Sequence, residues 1–165
     1  MGYPTTVDSG GVQPWSLYAD DNAYSSTTTT GGAIYIVGVV LYAPVVVTGM
    51  KCRMGSTAAG NIDMGIYDVN FNVLANKGAT GSLSASAVNT LTFANALSLS
   101  PGRYWLAWVD SAGSDTVAQA TAGSTGFTIA RRSVGTGNTT IVANSSWQDT
   151  TIRICLEAAI SGGYP

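Results

Sequence analysis

The sequence predicts an all-β protein, a jelly-roll-like antiparallel β-sandwich of about eight or nine strands. Short apolar or alternating runs are separated by turn residues, and no stretch shows helical periodicity. Evenly spaced short strands of this kind are typical of a sandwich, and eight strands in two Greek keys form a jelly roll. A hydrophobic content of 45% in 165 residues provides one core without a required disulfide.

The first 32 residues are expected to form an extended N-terminal arm (residues 1–32) outside the sandwich. This segment contains Gly10-Gly11, a threonine run and Gly31-Gly32, and it has no regular alternation. Its aromatic side chains need burial but lie in a segment that cannot build a core, so we expect them to dock on a neighbouring subunit. The predicted interface residues are Tyr3, Trp15, Tyr18 and Tyr24. Removing residues 2–30 should then spare the fold and weaken assembly.

The sandwich domain is predicted to span residues 33–160, with a C-terminal tail at 161–165. Ala33–Val47 is apolar and uncharged, but it is shorter than the ~20 residues of a membrane-spanning helix, and Pro44 interrupts it. We therefore predict two strands joined at Ala43-Pro44 and no membrane association. The second strand is expected to place these alternate residues on one face: Val46, Thr48, Met50, Cys52 and Met54.

Two further strands are predicted to line the core. Asn61–Asp68 alternates, and Gly102–Asp110 is apolar on both faces, which implies that both of its faces are covered. We expect one core to contain Ile62, Met64, Ile66, Tyr104, Leu106 and Trp108. Other short strands are predicted at 73–75, 88–93, 127–132, 141–143 and 151–157, and a loop is predicted at 113–126.

The composition argues against several kinds of enzyme. The chain has no histidine, the commonest general base and triad member, and it lacks a nucleophile elbow and a phosphate-binding loop. Two aspartate pairs, Asp63 with Asp68 and Asp110 with Asp115, leave a glycosidase-type acid pair as an alternative to ordinary turn formation. We expect no catalytic activity and no cofactor. A net charge of −2 without a basic cluster also argues against nucleic acid as a partner.

A cation site is suggested by Asp68, Asn70 and Asn72, which match the start of a calcium-binding loop. Val73 and Ala79 replace the glycine and the glutamate that such a loop requires, so a turn capped by these side chains is favoured over a metal site. The cysteines, Cys52 and Cys155, are expected to be buried free thiols, with a disulfide as the alternative. The N-terminus shows no secretory signal, which favours folding in a cytoplasm.

The aromatic residues suggest one binding site. Tyr67, Trp105 and Trp147, together with Trp15, could form a platform on which sugar rings stack. The favoured alternative is that these rings pack in the core or at a subunit interface, because aromatic residues dominate both settings.

The stretches AGNIDMGIYDVNFNVLANKG and LSLSPGRYWLAWVDSAG resemble β-sandwich domains of tailed-bacteriophage virion proteins, which occur in head-decoration proteins and in fibre or appendage proteins. The resemblance covers roughly residues 33–157 and implies a structural, oligomeric role with no catalytic residues. Collagen-like repeats and heptads are absent, so the chain lacks the shaft of a fibre.

The resulting hypothesis is a capsid decoration, or cement, protein. It would be made in the host cytoplasm and would bind the major capsid protein or another virion protein at the head surface, as a homotrimer. The alternative hypothesis is an appendage module that binds a carbohydrate or receptor on the host surface.

Overall fold

The computed structural model describes residues 24–81, 83–120, 130–152 and 154–161. These residues form an all-β fold without a helix, which confirms the predicted fold class. Eleven strands occur in the described ranges: β1 (Tyr24–Thr28), β2 (Ile34–Leu41), β3 (Val45–Arg53), β4 (Ile62–Tyr67), β5 (Val73–Asn76), β6 (Val88–Leu99), β7 (Gly102–Asp110), β8 (Thr116–Ala120), β9 (Ala130–Ser133), β10 (Trp147–Asp149) and β11 (Leu156–Ile160). No helix in the described part of the chain could cross a membrane.

The strands form two layers of antiparallel sheet. One layer is a six-stranded sheet in the order β10-β9-β2-β7-β4-β5, and the other is a three-stranded sheet in the order β11-β3-β6. Strands β1 and β8 pair with each other, and isolated bridges from β8 to Met54 and Ile154 connect them to the three-stranded layer. The layers form a β-sandwich, and the jelly-roll connectivity stays a prediction.

The main core lies between the two layers. In the six-stranded sheet Met64 is opposite Trp108 and Ile66 is opposite Leu106, and all four side chains are fully buried. Ile62 belongs to the same core, and Tyr104 packs against it while partly buried. The predicted face is therefore confirmed. The three-stranded layer contributes Met50, Cys52, Leu91, Phe93, Leu156 and Ala158.

A second apolar layer covers the outer face of the six-stranded sheet, the face turned away from the main core. Ile34, Ile36, Ala107 and Val109 are buried there, as the apolar pattern on both faces of β7 predicted. The connection between β9 and β10, residues 134–146, places Ile141 in this layer with 3% exposure. We call residues 134–146 the covering segment.

The predicted alternation of β3 is wrong at its start. The register with β6 shifts between Val47 and Gly49, so Val47 is fully buried while Val46 is 38% exposed. A side chain at residue 49 would collide with the Leu91 carbonyl oxygen, so glycine lets the two strands approach at the bulge. Beyond it, Met50, Cys52 and Met54 face the core as predicted.

Several predicted boundaries also differ from the structure. The predicted loop at 113–126 contains β8, which has too few residues for its alternation to stand out. Residues 141–143 form no strand because the covering segment is held by side chains rather than by a strand partner. Strand β10 was missed, β6 continues to Leu99 instead of ending at Phe93, and the closing strand begins at Leu156.

The predicted boundary of the N-terminal arm requires a correction. Residues 24–28 are strand β1, which pairs with β8 from Tyr24 opposite Ala120 to Thr28 opposite Thr116. The serine and threonine side chains of this strand gave no apolar alternation, although their backbone groups can pair as in any strand. Tyr24 therefore belongs to a sheet, and we keep the name N-terminal arm for residues 1–23 alone. Residues 1–23, with Tyr3, Trp15 and Tyr18, and residues 162–165 lie outside the described residues.

Candidate functional site

Four aromatic rings meet on the outer face of the six-stranded sheet. Three of them, Tyr67, Trp105 and Trp147, are the predicted sugar-binding residues, and the fourth is Phe71. Tyr67 of β4 lies directly opposite Trp105 of β7 in the sheet register. We call these four residues the outer aromatic cluster.

Tyr67 forms the buried base of this cluster. Its side chain has no exposed surface, and its hydroxyl donates a 2.6 Å hydrogen bond to the Val142 carbonyl oxygen of the covering segment. Burial raises the pKa of Tyr67 far above its ordinary value, and the nearby Asp63 carboxylate raises it further. The predicted role of Tyr67 in stacking on a sugar is therefore wrong for this structure, because the sheet and the covering segment bury the ring.

Trp105 is partly exposed, and protein groups already lie against its ring. Phe71 stacks on it with centroids 5.5 Å apart and planes 28° apart. The Arg131 guanidinium lies 5.6 Å from the Trp105 ring centroid, within cation–π range. Phe71 follows β4 and Arg131 is on β9, on opposite sides of β7 in the sheet, so the ring is approached from both directions.

Phe71 is the member of the cluster that the sequence analysis missed. It lies in the turn between β4 and β5 with φ 63°, a left-handed conformation that is uncommon for a bulky residue. Asp68 shapes this turn, because its carboxylate accepts hydrogen bonds from the backbone N–H groups of Asn70 (2.8 Å) and Asn72 (2.9 Å). The capped turn predicted from the Asp68, Asn70 and Asn72 pattern is confirmed. The signal that could have revealed Phe71 is an aromatic residue within this otherwise polar turn.

The ionisation of Asp68 reflects this turn. Slight desolvation opposes the charged form, but hydrogen bonds from the side chain and N–H of Asn72 and from the N–H of Asn70 outweigh it. The pKa of Asp68 is therefore lowered from its ordinary 3.8.

Trp147 reaches the cluster from the other edge of the sheet. It begins β10, yet its ring lies 5.8 Å from that of Tyr67 and 5.2 Å from that of Phe71. In a flat sheet four strand spacings of about 4.8 Å would separate β10 from β4. The β9–β10 end must therefore fold over the outer face. A 3.0 Å hydrogen bond from Trp147 Nε1 to the Asn144 carbonyl oxygen fixes the indole.

The covering segment is held by a buried carboxylate. Asp63 is fully buried, and its Oδ2 accepts 2.8 Å hydrogen bonds from the Ile141 N–H and from Asn76 Nδ2. Its Oδ1 accepts a 2.9 Å bond from the Gly78 N–H. This carboxylate joins three chain segments, which is a structural role rather than that of an exposed acid or base.

The second predicted aspartate pair, Asp110 and Asp115, also accepts hydrogen bonds from backbone N–H groups. Asp110 accepts 2.8 Å bonds from the N–H groups of Ala112 and Gly113, and Asp115 accepts bonds from those of Ala59 and Gly60. Both carboxylates are fully buried, and a side chain at residue 60 would collide with that of Asp110 and press closely against that of Asp115. The structure brings Asp110 and Asp115 together around one loop junction, where they hold the loops.

Asp110 gives a testable pH dependence. Desolvation raises its pKa above the ordinary 3.8, the Ala112 N–H bond opposes this, and the Asp115 carboxylate adds to the rise. A raised folded-state pKa contributes stability that is complete below the unfolded-state pKa and is lost as the pH rises through the folded-state pKa.

Asp110→Asn removes the titration of this carboxyl group. The stability of the wild type relative to Asp110→Asn should therefore fall between about pH 4 and about pH 7. Urea unfolding at both pH values measures it, and a constant difference would contradict the assignment.

Metal and thiol chemistry has little support in the described part of the chain. It contains no group of three or more His, Cys, Asp or Glu side chains that could hold a metal ion. Cys52 and Cys155 are buried free thiols, as expected, and burial raises their pKa values to about 12 and about 11. Neither thiol is activated as a nucleophile, because the thiolate is the reactive form.

The remaining feature with surface chemistry is the outer aromatic cluster, where Phe71, Trp105 and Trp147 each retain some exposure. Its geometry offers aromatic and cationic contact area to a partner. No protein-family model, curated protein or solved structure matches the chain.

Proposed function

We propose that this chain is a bacteriophage virion structural protein, a capsid decoration protein that binds the head surface as an oligomer, with a homotrimer as the expected form. The observation that carries the proposal is the partly exposed outer aromatic cluster with Arg131 against it. Tryptophan, other aromatic residues and arginine are enriched where proteins bind one another, and they contribute most of the binding energy there.

The hydrogen bonds that the buried aspartates accept support this proposal. Asp63, Asp110 and Asp115 each accept hydrogen bonds from backbone N–H groups of loops. Such bonds hold the surface loops in fixed positions, and a preorganised surface loses less entropy on binding. The fold is therefore suited to a role in which a rigid surface makes contacts.

Binding to heads is the direct test. Heads assembled without this protein are mixed with increasing amounts of the purified chain, and the bound fraction is measured by sedimentation. We expect saturable binding and greater resistance of the heads to heat. A protein that stays monomeric and does not sediment with heads at any concentration would overturn the proposal.

Two deletions distinguish a contribution of the N-terminal residues to assembly from a contribution to the stability of the fold. Deleting residues 2–22 leaves β1 intact, so we expect thermal unfolding within a few degrees of the full chain and weaker self-association or head binding. Deleting residues 2–30 also removes β1 and leaves β8 without this partner, so the fold is not spared as the sequence analysis predicted, and we expect a clear loss of thermal stability. Equal unfolding temperatures for both deletions would show that β1 contributes nothing.

A carbohydrate-binding appendage is the second candidate. It is favoured by the partly exposed Trp105 and Trp147, whose indoles lie on one face of the domain. A glycan array with the purified protein tests this candidate, with Trp105→Ala as the comparison. Binding to a host polysaccharide that Trp105→Ala abolishes would favour it over decoration, and an array without any binding would reject it.

A further inference from the structure

We propose that residues 1–23 of one copy dock on the outer aromatic cluster of a second copy. This inference rests on the proposed oligomeric function and names the surface that the arm uses. Two independent properties of the molecule lead to it: the distribution of charge along the chain, and the direction in which the chain enters the domain.

The N-terminal segment is acidic. Residues 1–23 contain Asp8, Asp20 and Asp21 and none of the seven lysine and arginine residues of the chain. The remainder of the chain therefore carries a small positive charge although the whole protein has a net charge of −2. A segment of this composition is attracted to a basic surface.

The acidic residues of the domain neutralise little of the positive charge that its arginines place at the surface. Four of its six acidic residues, Asp63, Asp110, Asp115 and Glu157, are buried. Asp68 and Asp149 are the acids left at the surface of the described part of the chain.

The face around the outer aromatic cluster carries two arginines. Arg103 is exposed and lies two residues before Trp105 on β7, hence on the same face. Arg131 lies against the Trp105 ring, and its Nε is 3.4 Å from the 87% exposed Asp149 carboxylate. The Arg131 side chain is 35% exposed and its partner is largely in solvent, so this ion pair contributes little stability and the guanidinium can accept a further acidic partner.

The face also offers apolar contact area to the arm. Beside the partly exposed rings, Val69 in the β4–β5 turn is 51% exposed and Val142 in the covering segment is 42% exposed. The arm brings Tyr3, Trp15 and Tyr18, for which an aromatic and arginine surface is a favourable partner. Charge and apolar character therefore match on both sides.

The position of β1 favours a second copy over docking within one chain. β1 pairs with β8, which is connected to the three-stranded layer, whereas the outer aromatic cluster lies on the far side of the six-stranded sheet. Tyr18 lies six positions and Trp15 nine positions before Tyr24, a reach of at most roughly 20–32 Å when fully extended. To reach the far side of its own domain, this part of the segment would have to pass around a sheet edge, so a neighbouring copy is the better-placed acceptor.

Photo-crosslinking on the full chain tests the contact. Benzoylphenylalanine replaces Tyr18 in a mixture of ¹⁴N- and ¹⁵N-labelled copies, and crosslinked peptides are identified by mass spectrometry. We expect mixed-isotope crosslinks from residue 18 to peptides that contain Phe71, Trp105 or Trp147. The same probe at the 73% exposed Tyr42 is the control and should not reach those peptides. Crosslinks to another surface, or within one chain only, would overturn the inference.

Charge reversal gives a second measurement. Arg103→Glu alone and Asp20→Lys with Asp21→Lys should each weaken self-association about tenfold in sedimentation velocity experiments. Combining them in one chain should bring the association constant back to within about threefold of the wild type. Lys77→Glu, the same charge change at an exposed residue just after β5, is the matched control and should have little effect. Additive losses in the combined variant would overturn the inference.

These outcomes are distinguishable from a failure of the proposed function. Head binding by a protein that shows no contact between the arm and the cluster would leave the decoration role standing and reject this inference. Contact between copies without head binding would support the inference and reject the decoration role.

Discussion

Replacing Leu106 by alanine is expected to lower the free energy of unfolding by about 2–5 kcal/mol. Leu106 is fully buried at the centre of the six-stranded sheet, where it pairs with Val37 of β2 on one side and with Ile66 of β4 on the other. Both neighbours are strand residues fixed by backbone hydrogen bonds, so they cannot collapse into the space that the missing side chain leaves. The cost therefore includes a cavity in addition to the lost apolar burial.

Leu74→Ala is the matched control for this prediction. Leu74 is on the edge strand β5 and is 37% exposed, so the same change removes less buried area and leaves no enclosed cavity. We expect it to cost less than about 1 kcal/mol. Both variants are compared with the wild type by equilibrium unfolding in urea. A loss below about 0.5 kcal/mol for Leu106→Ala would mean that this face of β7 is not part of the core.

The strands of the main core were predictable because their side chains alternate with the period of a strand. Ile62, Met64 and Ile66 are apolar at every second position, and the structure buries all three. The bulge at Val47 and Gly49 was not predictable, because a register shift depends on the partner strand and leaves no periodic mark in the sequence. Strand β1 was not predicted for a related reason. Its serine and threonine residues pair with β8 through their backbone groups but give the strand no apolar face.

The candidate site was predictable as a set of residue types but not as a surface. Tyr67, Trp105 and Trp147 do meet, yet sequence alone could not show that Tyr67 lies beneath the covering segment. The bond between Asp63 and Ile141 joins residues that are 78 positions apart. Such a contact between an acid and a backbone N–H is not encoded by spacing. Phe71 was missed because a turn is recognised in a sequence by its polar residues, so the aromatic residue among them was assigned to the turn and not to a site.

Replacing Asp63 by alanine is expected to cost about 2–4 kcal/mol and to loosen the covering segment. The change leaves the backbone N–H of Ile141 buried without its acceptor, and it also removes the acceptor of Gly78 and of Asn76 Nδ2. Losing a charged acceptor from a buried network carries the desolvation cost of each abandoned donor. The effect should therefore far exceed that of Asp68→Ala, which removes an exposed carboxylate from a turn.

Two measurements separate a general loss of stability from a release of the covering segment. Urea unfolding gives the total cost, and amide hydrogen exchange of residues 134–146 in the native protein reports local opening. Asp63→Ala should exchange faster at Ile141 than the wild type even under conditions where the main core, for instance Trp108, stays protected. Because Trp147, one of the four tryptophans of the chain, packs on Tyr67 and Phe71, the tryptophan emission of the protein should also shift toward that of an exposed indole. If exchange at Ile141 and at Trp108 accelerated by the same factor, Asp63 would stabilise the domain as a whole, and the covering segment would not open independently of the core.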